Sequence, residues 1–256
     1  MKKMLAIILC CTLLAGCGNG NVFSWAHNPG SGDFASLKSD GDAAMKNNDF
    51  SKAAEYYKAA LGKNPNDAET ALAYATARLF EVINSQYGDI VNTFLSGGGT
   101  SSDELLGFLT GDTIQKLADA LYDSMGTAGS EDGYLANAAN QPGASTDILI
   151  NAAVTNILLG VAEFLTSVAP YQEYITLNSD FTVSFPLGVP TDPDIIAALI
   201  AAIEKLIARI ETALRWLQNA PIADLPPGVD QSQILETINN YLALLKAELE
   251  AAKSQL

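Results

Sequence analysis

Histidine and cysteine are nearly missing from this 256-residue chain, and cations are scarce. The one histidine is His27, and the three cysteines, Cys10, Cys11 and Cys17, all fall within the first 17 residues. A nucleophile with a histidine base, or a metal site built from His and Cys, needs those side chains gathered around a pocket. From Asn28 onward the chain contains neither type. His27 sits in a Gly-, Asn- and Ser-rich stretch and reads as incidental. Lys and Arg number 14 against 29 Asp and Glu, a formal charge of −15. Phosphate recognition needs a basic patch, so nucleic acid is excluded as a partner. Charge alone would not hold such a chain on an anionic lipid surface either. With 48% hydrophobic and 17% charged residues, the chain is not disordered and can build a sizeable core.

The carboxylates that are present do not read as catalytic. Asp103 with Glu104, and Glu131 with Asp132, are sequence neighbours that point in different directions and flank loops. They read as helix caps and solvation. Gly97-Gly98-Gly99 lacks the preceding strand and the following Lys-Ser/Thr of a phosphate-cradling loop. The sequence therefore predicts no catalytic residue, no metal site and no cofactor.

The N-terminus carries an address. Lys2 and Lys3 precede an apolar run from Met4 to Leu14, of secretory length and too short for a stable membrane span. Leu14-Ala15-Gly16-Cys17 follows. This order resembles the signal of bacterial lipoproteins, whose lipobox is cut before the cysteine. The resemblance implies a cleaved signal peptide over 1–16 and a lipid-bearing Cys17. Residues 17–33 form a flexible tether rich in Gly, Asn and Ser, in which Phe23 and Trp25 are the exceptions. Cleavage removes Cys10 and Cys11, leaving one cysteine and no disulfide. It also removes Lys2 and Lys3, which makes the mature chain more acidic. Several acyl chains on one residue anchor firmly, at about 0.8 kcal/mol per buried methylene. Gly18 stands where an Asp would favour inner-membrane retention, so the expected place is the outer membrane of a two-membrane envelope, facing the periplasm.

Residues 34–256 read as one helical domain. Small residues Gly41, Ala44, Ala53 and Ala60 alternate with Met45, Phe50, Tyr57 and Leu61 at helical spacing. Asn47-Asn48-Asp49 supplies turn residues and a cap for a second helix. Asn64-Pro65 ends that helix, and Asp67 is placed to start a third. The stretch resembles a tetratricopeptide repeat, a 34-residue helix-turn-helix unit. Gly41, Phe50, Ala53, Tyr57, Ala60 and Pro65 fill the small, aromatic, small, aromatic, small and closing-proline positions. Leu37, Asp40 and Ala44 depart from the pattern, where a Trp, an apolar residue and an aromatic are usual. The match covers about one repeat, with the first helix of a following unit from Asp67 to Val82. The fold class expected is all-α: a helical bundle or short α-solenoid with one to two such units in 34–95 and non-repeat helices in 101–256.

Further along, Gly97-Gly98-Gly99 marks a loop, and Ser101-Ser102-Asp103 caps a region of one or two helices to Met125. Thr127 to Ala144 reads as a Gly-, Ser- and Asn-rich connection with no periodicity. Ser145-Thr146-Asp147 caps a helix from Ile148 to Ala169 that is apolar nearly all round. Asn151, Asn156 and Glu163 argue for a core helix rather than a membrane span. Alternation over 173–186 predicts a small β-hairpin insertion. Asp192-Pro193-Asp194 opens an amphipathic helix to about Asn219, with Glu204, Lys205, Arg209, Glu211 and Arg215 placed largely outside its apolar stripe. A final helix starts near Asp230 or Ser232.

Proteins with this repeat commonly bind protein segments along a groove lined by the first helix of each unit. Carried over by position, the resemblance implies a groove of Lys38, Asp42 and Met45, continued by Glu69, Leu72, Thr76 and Leu79. Each set recurs at spacings of three and four and shares one helix face. The expected function is a non-catalytic scaffold or adaptor for an envelope protein partner, attached to the membrane through lipid on Cys17. The alternative is a periplasmic carrier or receptor for an apolar small molecule, as for transporter-associated lipoproteins. In that case the helices from Ile148 to Ala169 and Ile195 to Leu217 would line a cavity.

Overall fold

In the computed structural model, residues 32–95, 112–130, 132–171, 176–177, 183–184, 192–221 and 231–253 are described. The chain becomes helical where its first good cap stands. Asp33 is extended and accepts a hydrogen bond from the Ser36 amide, starting α1 (Phe34–Lys46). Asp49 does the same from the Lys52 amide for α2 (Phe50–Lys63), and Asp67 from the Thr70 amide for α3 (Ala68–Leu95). Each satisfies amides that a helix start leaves without partners. Asn48 adopts φ 57° in the turn before α2, a left-handed conformation that asparagine tolerates better than most residues. Gly41 is required where α1 crosses α2. A methyl added there would lie 2.5 Å from Cε1 of the Tyr57 ring.

The rest is also helical: α4 (Asp112–Met125), α5 (Tyr134–Ala139), α6 (Thr146–Val168), α7 (Pro193–Asn219) and α8 (Gln231–Lys253). A 3-10 turn, Ala169–Tyr171, extends α6. In the region of the expected hairpin there is a two-residue antiparallel pairing, Thr176 with Ser184 and Leu177 with Val183. The protein is all-α in class, a bundle of eight helices among the described residues. The loop expected at 97–99, the cap expected at Ser101-Ser102-Asp103 and any helix expected before Asp112 lie outside the described residues. So do Cys17, His27 and nearly all of the tether.

The stretch from Thr127 to Ala144 is not a plain connection. It contains α5, whose Leu135 and Ala136 are fully buried. Six residues are too few for periodicity to show. Gly126, at φ 75°, turns the chain out of α4. Gly133 lets it return so close that a methyl there would lie 2.3 Å from the Met125 nitrogen.

The core has two parts. One joins α1 to α5 with most of α6 and the far end of α7, through Ala213, Trp216 and Ala220. The other joins the end of α6, most of α7 as far as Leu214, and α8. Helix α7 also carries two apolar seams, each stepping by three and four residues. Leu199, Ala202, Leu206, Arg209, Ala213 and Trp216 form one. Ile196, Ile200, Ile203, Ile207, Ile210 and Leu214 form the other. The first faces α6, where Gly160 admits Leu206 and Arg209 at close range; the second packs with α8. Helix α6 is long and apolar enough to cross a membrane, yet about two-thirds of its most apolar window is buried inside the protein.

Candidate functional site

The face implied by the resemblance falls on α1 and α3. Lys38 projects from α1, and its Nζ lies 2.7 Å from Oε2 of Glu69 and 3.7 Å from Oδ1 of Asp67. Asp67 therefore caps α3 and faces the Lys38 charge at once. Half-burial pushes the Asp67 carboxyl up, but hydrogen bonds from Thr70 and the charge of Lys38 outweigh this and hold it below the usual carboxylate range. Burial pulls Lys38 down; its hydrogen bond to Glu69 and the neighbouring carboxylates more than reverse that.

Asp42, one turn on from Lys38, accepts a 2.8 Å hydrogen bond from the Tyr57 hydroxyl of α2. Burial first, and Asp42 second, push the Tyr57 hydroxyl far above the ordinary tyrosine value. Met45 and Leu72 are half-buried against the first core part. Thr76 is half-buried and donates from Oγ1 to the Leu72 carbonyl at 2.9 Å. Glu69 is exposed. Leu79 is buried in the core, so it contributes packing and not open surface. Six of the seven side chains thus stand at least partly open on two helices, and Leu79 does not. Leu37, Asp40 and Ala44, the departures from the repeat pattern, are all buried.

A second polar cluster joins α2, α3 and α4. Asp123 accepts hydrogen bonds from Lys58 Nζ and, at 3.1 Å, from the Tyr74 hydroxyl. The Lys58 bond, more than the opposing burial, lowers the Asp123 carboxyl. Burial and the Asp123 charge raise Tyr74 well above the usual tyrosine value.

The third polar group was not anticipated. Arg209 does not lie outside the α7 stripe; its side chain is 1% exposed. Its Nε donates to Oε2 of Glu163 at 3.1 Å, and its Nη2 to Oε1 of Glu163 at 2.8 Å and to the Gly126 carbonyl at 2.7 Å. Nη1 donates to Oδ1 of Asn156 at 3.0 Å, and the Asn156 amide returns a bond to the Arg209 carbonyl at 2.9 Å. This guanidinium, bidentate to Glu163 and bonded through all three of its nitrogens, ties the chain just past α4 to α6 and α7. At 1% exposure it is a packing element rather than an open site. A signal was present: Asn156 and Glu163 lie seven residues apart on an apolar helix, and Arg209 occupies a seam position on its neighbour.

Among the described residues, no three His, Cys, Asp or Glu side chains gather as a metal-binding group. No protein-family model matches the chain, and comparisons with curated proteins and with solved structures found no match.

Proposed function

We propose that this chain is a lipoprotein of a bacterial cell envelope, carrying one to two tetratricopeptide-type units, and that it works as a non-catalytic adaptor. Lipid on Cys17 anchors it, the segment to residue 33 gives reach, and a protein partner docks on the face shared by α1 and α3. The basic start, apolar run and Leu-Ala-Gly-Cys order support the anchor. The observation that carries the docking reading is the half-open face itself. Lys38, Asp42, Met45, Leu72 and Thr76 stand on two helices joined by the Lys38–Glu69 bridge. Such a face mixes apolar contact with orienting charge, which suits a protein segment. The carrier reading has no observation in its favour: the apolar faces of α6 and α7 pack against each other.

A photo-crosslinking residue at Glu69 in growing cells tests the docking face, with one at exposed Ala201 of α7 as the comparison. A discrete adduct at Glu69, weakened by Leu72→Asp and missing at Ala201, is expected. Identical products from both positions would overturn the docking reading. For the anchor, Cys17→Ser should abolish incorporation of a labelled fatty acid and release the chain from membranes. Retained label would refute it.

A further inference from the structure

Helix α8 meets the rest of the described chain chiefly through α7. Its buried side chains, Ile238, Leu242, Leu245 and Leu249, step by four, three and four residues along a single stripe. Glu236, Asn239, Asn240, Ala243 and Glu250 of α8 are exposed, and Leu244 is 56% exposed. Opposite that stripe runs the second seam of α7. Two ion pairs flank the seam: Lys246 to Glu211 at 2.7 Å and Lys253 to Glu204 at 3.0 Å. The partners are seven residues apart on each helix and run antiparallel. An apolar seam with complementary charges at its flank is the pattern by which two helices choose each other and their orientation.

We propose that the outer seam of α7 is an interchangeable helix-docking face, covered by α8 of the same chain and equally able to receive α8 from a second copy. Every contact just named lies between α7 and α8. An exchanged α8 therefore reproduces all of them, and reciprocal exchange closes a two-fold dimer without new surface chemistry. The capping contact travels too: Gln231 Nε2, in the first turn of α8, donates to the carbonyls of Leu217 and Ala220 at 2.6 and 3.1 Å. The flanking ion pairs are about half exposed; such pairs select a partner more than they bind it. The inward seam of α7 is different in kind, because Arg209 is buried and bonded to α6 and to the chain just past α4. The α6–α7 pair therefore stays together while α8 exchanges.

Charge reversal tests this with full-length chains. Glu204→Lys/Glu211→Lys is one variant and Lys246→Glu/Lys253→Glu the other. Within either chain, or between two copies of it, α7 and α8 then carry like charges at the seam. In a mixture, each α7 meets an α8 of opposite charge. Native mass spectrometry of an equimolar mixture should show a 1:1 heterodimer roughly tenfold enriched over either homodimer. Hydrogen exchange should show α8 amides regaining protection on mixing. The variant with all four substitutions restores pairing within one chain and shows that the fold accepts the new charges. If a two-site variant does not fold alone, the two are refolded together, and a heterodimer must again form. Two separate monomers, or a heterodimer whose α8 stays unprotected while the four-site variant is folded, would overturn the proposal.

Discussion

A guanidinium taken from water into a helix interface is tolerated only where its donors find partners. Arg209 finds them in Glu163, Asn156 and the Gly126 carbonyl. Truncation to Ala strands the Glu163 charge and the Gly126 carbonyl. Arg209→Ala is therefore expected to lower unfolding free energy by roughly 3–5 kcal/mol in urea titrations. The triple change Arg209→Met/Glu163→Leu/Asn156→Leu should recover most of that, since an apolar seam of similar volume replaces the pair. At Gly41 the limit is steric. Gly41→Ala places a methyl against the Tyr57 ring and is expected to cost about 1–3 kcal/mol. In a double-mutant cycle, Tyr57→Ala should remove most of the Gly41→Ala penalty, because the clashing ring is gone.

At the scale of elements, the short helix α5 matters more to the core than its length suggests. Tyr134 meets Tyr74 of α3 edge to face at 5.8 Å between ring centres, and Asn140, the C-cap, accepts a 2.9 Å bond from the Trp216 indole of α7. Leu135 is fully buried in the first core part. Leu135→Ala is expected to lower stability by about 2–5 kcal/mol, with the same far-UV helix signal before unfolding, because a cavity opens while the longer helices persist. The longer helices were legible for a physical reason. A cap and twenty residues of periodicity overdetermine an element such as Asp192 with α7 or Ser145 with α6. Six residues behind a glycine do not, so α5 was hidden. The double seam of α7 was half legible: one stripe is visible as amphipathicity, whereas two adjacent stripes look like a broad apolar face with a stray arginine.

For the whole molecule, the titrating groups set a window of stability. Asp67 and Asp123 have lowered values in the folded state. Their contribution is present above the unfolded carboxylate value of about 3.9 and is lost as pH falls through the folded values. Tyr57, Tyr74 and Lys38 have raised values. Their contribution is complete below an unfolded value of about 10 and is lost as pH rises through the folded ones. Urea midpoints measured across pH should form a plateau that falls at both ends. Asp123→Asn should be less stable than the parent at neutral pH and converge with it in acid. Tyr74→Phe should converge with it in alkali instead. A parallel offset at every pH would show that these groups do not titrate with folding.

From the sequence alone came the all-α class, the caps at Asp49, Asp67, Ser145 and Asp192, the need for a small residue at Gly41, and the candidate face on α1 and α3. The class and the caps are local, resting on hydrogen bonds within four residues or on spacing within one helix; Gly41 and the candidate face rest on the resemblance to the repeat pattern. Tertiary structure decided what is not local. It placed Leu79 in the core and away from the face, buried Arg209 between Glu163 and Asn156, made α5 a core element, and left α8 resting mainly on α7. Those outcomes depend on which helix comes to lie against which, and a residue's own neighbours in sequence carry almost none of that information.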